Sequence, residues 1–93
     1  MQALAIYSSR IVGNPKNPVL VSFGKKLRVI REKRGLSQER LAELANLHRN
    51  TVGSLERGEV NISLLAIASL AKVLRVKPTD LIKTVHAYSV HKV

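Results

Sequence analysis

In the stretch "RNTVGSLER", Arg49, Asn50, Gly53, Ser54 and Arg57 fall on one side of a short helix, with Val52 and Leu55 on the other. Guanidinium, carboxamide and hydroxyl groups offer hydrogen bonds in defined directions, which is the chemistry of recognition rather than of bond breaking. Catalytic readings fare badly. His48, His86 and His91 have no acids at ligand spacing, there is no cysteine nucleophile, and no glycine-rich phosphate-binding loop occurs. A core this small leaves little room for a substantial pocket. The chain therefore reads as a non-enzyme that needs no metal or cofactor. A short, polar, projecting helix face suits insertion into a groove about 12 Å wide.

The charge balance agrees with such a partner. Sixteen Lys and Arg oppose six Asp and Glu, a net charge of +10, and the pI is near 10.8. An excess of this size points to a polyanion, with nucleic acid, a membrane surface and an acidic protein all open on charge alone. No uncharged run approaches the roughly 20 apolar residues of a membrane span. The nearest, Val60 to Ala71, is interrupted by Asn61, Ser63 and Ser69. "MQALAIY" is too short and lacks the positive start of a secretory signal. The expectation is a soluble, cytoplasmic protein, in which the sequon Asn61-Ile62-Ser63 is a coincidence. The absence of cysteine is compatible with a reducing compartment.

Ninety-three residues hold one small domain. Aromatic residues make up 3% of the chain, so Leu, Ile, Val and Ala must form the interior, and helices are favoured over sheets. Residues 1–21 read as an N-terminal extension: "ALAIY" and "RIV" are β-like, and "GNPKNP" breaks any helix. Pairing of this segment with "VHAYSVHKV", or use of Arg10 and Lys16 as an arm on DNA, are alternatives. Residues 22–88 form the domain proper, and 89–93 a tail.

Within the domain, Phe23, Leu27 and Ile30 share a face of a first helix starting from about Ser22, which Gly35 stops. Ser37 stands as the N-cap of a second helix, Gln38 to about Ala45, and Asn46 tolerates the left-handed turn that ends it. A third helix spans Arg49 to Glu56 and ends at Gly58. Ser63 caps a fourth, reaching Leu74, with Leu64, Ile67, Ala68, Ala71 and Leu74 facing the core. Pro78 suits the first position of a fifth helix, continuing past Leu81, Ile82 and Val85. The fold class is all-α, five short helices. Two helices joined by so short a turn must cross steeply, so that the second can brace the third.

These residues resemble the lambda-repressor/Cro-like, or XRE-type, helix-turn-helix family over about Phe23 to Leu81. The likeness rests on "RGLSQERLAELANLHRNTVGSLERGEVNISL" followed by "LAKVLRVKPTDL". Gln38, Ala42, Val52 and Leu55 stand where the family has them, and Asn46 replaces the usual glycine. "LHRNTVGSLERGEVNISL" is most similar to the controller proteins of restriction-modification systems and their plasmid or phage relatives.

The resemblance implies a sequence-specific regulator of double-stranded DNA. Arg49 would donate two hydrogen bonds to guanine and Asn50 would pair with adenine, while Thr51 and Ser54 add hydroxyl or methyl contacts. Gln38, Arg57 and His48 would contact phosphates. Arg31 and Glu56 would form a structural ion pair. A single recognition helix reads too few base pairs, so a homodimer on a roughly palindromic operator is expected. Leu65, Val73, Ile82, Val85 and Tyr88 exceed the needs of one core and are the candidate dimer interface. The rival readings are an antitoxin that masks a toxin protein and autoregulates its operon, and an RNA or nonspecific nucleoid binder.

Overall fold

A computed structural model describes residues 17–83 as five helices: α1 Pro18–Lys33, α2 Gln38–Ala45, α3 Arg49–Glu56, α4 Leu64–Leu74 and α5 Pro78–Ile82. Three begin as the caps in the sequence require. Ser37 Oγ accepts the Arg40 amide, and Ser63 Oγ accepts the Ala66 amide. Asp80 at the third position of α5 accepts the Lys77 amide. Each satisfies a donor that a helix start otherwise leaves unpaired.

The first helix starts earlier than its periodicity indicates. Asn17 is its N-cap, the Oδ1 accepting the Val19 amide at 2.9 Å, and Pro18 is its first residue. The residues that break the preceding segment thus also open α1, because a proline at the first helical position loses only an amide that has no partner there. Residues 17–21, read as part of the extension, belong to this start. Residues 1–16 and 84–93 lie outside the described part, and with them the strand pairing, the proposed arm, Val85 and Tyr88. At the other end, α5 closes at Ile82 with Lys83 as its cap.

The core gathers Phe23, Leu27 and Ile30 of α1, Leu41, Ala42 and Ala45 of α2, Val52 and Leu55 of α3, Leu70, Ala71 and Leu74 of α4, and Leu81 of α5. In α4 the inward face differs from expectation. Leu70 is fully buried, Ile67 is half-buried, Ala68 is exposed, and Leu64 and Leu65 are 79% and 81% exposed. This helix is apolar almost all round, so periodicity selects no face, and its docking against α2 and α5 does.

Two glycines let α1 and the end of α3 meet. A Cβ on Gly24 would lie 2.4 Å from the Leu55 carbonyl oxygen and 2.5 Å from that of Glu56. Gly58, which turns the chain out of α3, has φ +73, and a Cβ there would lie 2.8 Å from the Val21 backbone. Larger residues at either site would wedge the two helices apart. Among the described residues no helix is long and apolar enough to cross a membrane.

Candidate nucleic-acid interface

The turn between α2 and α3 is Asn46-Leu47-His48. Asn46 takes the left-handed conformation, φ 58 and ψ 45, and its amide closes on the Glu43 carbonyl. The Leu47 amide reaches the Ala42 carbonyl at 2.8 Å, completing a tight C-terminal reversal. Leu47 packs against the core, and His48 becomes the N-cap of α3, its Nδ1 accepting the Asn50 amide at 3.1 Å.

On the inner side, α3 is held by apolar contact and by one buried polar network. Val52 and Leu55 are enclosed against α2, whose Ala42 is small at the approach. Arg31 donates through Nε to Glu56 Oε2 and through Nη2 to Oε1, the latter at 3.0 Å, a two-pronged pair with little of either side chain exposed. Arg31 Nη1 also donates to the Leu36 carbonyl at 2.8 Å. Gln38 Nε2 donates to Glu56 Oε1 at 2.9 Å. One carboxylate thereby joins α1, the first turn of α2 and the end of α3. Its hydrogen bond holds the Arg31 guanidinium pKa above the ordinary arginine value against the opposing effect of burial.

The outer side is different. Arg49 and Asn50 are exposed, and their side chains make no ion pair or hydrogen bond with any described residue. Thr51 and Ser54 are half-buried. Arg57 runs back across the helix, its Nε donating to Glu59 Oε2 at 2.9 Å and its Nη2 to Ser54 Oγ at 3.4 Å. Arg49, Asn50, Ser54 and Arg57 therefore share one projecting surface. Gln38 borders it with its nitrogen engaged by Glu56, and His48 stands at its upper edge as a cap.

Sequence reasoning did not find Gln38 as a member of the ion-pair network, the Arg57–Glu59 pair, or Arg34. The last donates from Nε to the Leu74 carbonyl at 2.7 Å, closing the end of α4 from forty residues away. Nothing local signals that contact. Glu59, two residues beyond Arg57, was a readable partner.

Among known proteins, the helix-turn-helix family pattern matches residues 27–81. The control protein C.BamHI of Bacillus amyloliquefaciens is 43% identical over 67 residues, 71% of this chain and 83% of that protein. C.MunI of a Mycoplasma species is 35% identical over 66 residues, covering 70% and 89%. The restriction-modification controller protein C.AhdI from Aeromonas hydrophila, whose crystal structure is known, superposes with a TM-score of 0.66 at 50% identity, covering 67% of this chain and 94% of that one. The arrangement of α2 and α3 and the pattern they carry are thus shared ones, and the chain belongs to the helix-turn-helix family of DNA-binding transcription regulators, in its lambda-repressor/Cro-like (XRE) branch.

Proposed function

We propose that this regulator binds a short, roughly palindromic operator as a homodimer and controls restriction-modification genes. The observation that carries the reading is the exposed, internally unbonded pair Arg49 and Asn50 on a helix rigidly backed by α1 and α2. Arg49 donates to O6 and N7 of guanine and Asn50 pairs with N6 and N7 of adenine, with Thr51 and Ser54 adding hydroxyl or methyl contacts. Gln38 keeps a second amide hydrogen beyond the one given to Glu56, and it sits at the α2 start, where the helix dipole favours a phosphate. His48 stands beside the strand at the opposite end of the turn.

The half-buried Val73 and the exposed Leu65 and Ile82 provide the dimer face, extended by Leu64. Regulation then follows occupancy, with rising protein concentration filling weaker sites. Such work is cytoplasmic in a bacterium.

Footprinting of the DNA upstream of its own gene tests the reading. The expected result is symmetric protection, with half-sites about one helical turn, 34–36 Å, apart. Equal affinity for random duplex at about 0.15 M salt would overturn it, because nonspecific binding is nearly all phosphate electrostatics.

A further inference from the structure

The sequence reading groups Arg57 with the phosphate contacts, but its geometry is that of a directed side chain. Asn50 and Arg57 lie two turns apart on the same stripe of α3, with Gly53 and Ser54 between them. Helical side chains lean toward the amino terminus, and Arg57 does so: Nη2 reaches Ser54 Oγ, one turn back. Gly53 leaves the space it occupies. A Cβ built there would stand 3.1 Å from Arg57 Nη1 and 3.6 Å from Gln38 Oε1. Meanwhile Glu59 holds Nε at 2.9 Å, so the Nη1 and Nη2 end of the fork is the end that reaches back over Gly53 to Ser54.

Glu59 makes the phosphate role a poor fit. A carboxylate beside Arg57 offsets the charge that would attract a phosphate, yet it leaves intact the directional donors that read a base edge. Resting on the DNA-reading function above, we propose that Arg57 is a further specificity-determining residue, donating from its fork to a guanine edge in the major groove, with Glu59 as its positioning residue and Gly53 as the space that admits it.

The test is selection of bound duplexes from a random pool by the full chain and by Arg57→Lys, Glu59→Gln and Gly53→Ala, each checked for folding by circular dichroism. Arg57 is 59% exposed in its side chain, and alanine favours helix over glycine, so these variants should fold. Arg57→Lys is expected to lose about ten- to a hundredfold of discrimination at one base position in each half-site, with the positions read by Arg49 and Asn50 unchanged. Gly53→Ala should weaken the same position by displacing the guanidinium. Glu59→Gln should blur that position while tightening binding to random duplex, since it removes a negative charge near the phosphates.

If Arg57→Lys selects the same motif as the parent chain, and Arg57→Ala lowers affinity equally for all sequences while reducing the salt dependence by about one counterion, Arg57 is a phosphate clamp and the proposal fails alone. If the parent chain itself enriches no motif, the DNA-reading function fails and the proposal with it.

Discussion

The third and fourth helices are built by the same rules to opposite ends. Each starts at a side-chain cap and buries Leu or Val inward. Outward, α3 shows Arg49, Asn50, Ser54 and Arg57, whereas the first turn of α4 shows Leu64 and Leu65, both about four-fifths exposed. Hydrogen-bonding groups left in water keep their directions available to a polar partner. Leucines left in water gain only by being covered. On the function proposed above, the first surface suits nucleic acid and the second suits another protein.

The support beneath them differs as well. Behind α3 lies the largely buried Arg31–Glu56–Gln38 network, while α4 relies on apolar packing and on Arg34 capping its last carbonyls. The sharpest way to break this contrast is Glu56→Ala, which leaves Arg31 buried without its counter-charge. A loss of about 3–5 kcal/mol is expected in urea unfolding. A loss below about 1 kcal/mol would show that the pair behaves as a solvated surface bridge.

Next in size is the apolar surface. Converting Leu64 and Leu65 together to aspartate should shift sedimentation from dimer to monomer while leaving helicity intact, since acids at a helix start are favourable and both positions are exposed. Each leucine covered at an interface is worth about 1.5–3 kcal/mol. An unchanged dimer would move the self-association surface elsewhere.

Arg49→Ala sharpens the other half of the comparison. Discrimination at one base position should fall by about 1–3 kcal/mol, read as relative affinities for matched and singly altered duplexes. An equal drop for every sequence would remove Arg49 from the readers.

The smallest effect is at α5. The Lys77 amide holds the Asp80 carboxyl below the ordinary aspartate range. A folded-state value below the unfolded one stabilises the fold at pH above the unfolded value, and the contribution disappears as pH falls through the folded one. Asp80→Asn should therefore lower the melting temperature slightly at neutral pH, with the gap closing in acid. A gap that persists in acid would exclude the carboxylate as its cause.

Most of the helical boundaries were legible from local chemistry. Ser37, Asn46, Ser63 and Pro78 each carry a terminus signal in their own side chain or ring, so α2, the turn, and the starts of α4 and α5 can be read one residue at a time. Asn17-Pro18 carries the same kind of signal, yet beside Gly13, Pro15 and Lys16 it reads as the end of a broken stretch rather than as the opening of α1. The polar face of α3 was legible for a related reason, because the buried positions Val52 and Leu55 leave its polar residues only one direction to point.

What the sequence by itself determined is therefore local: where helices start and stop, and which side of a strongly two-faced helix is polar. The tertiary structure alone decided which side of the nearly all-apolar α4 goes inward, that Gln38 turns to Glu56, that Arg34 closes α4, and that Arg57 lies over Gly53. The physical reason is range. Caps and turns are settled by bonds within a few residues, whereas burial and long-range hydrogen bonds depend on which surfaces the packed helices bring together.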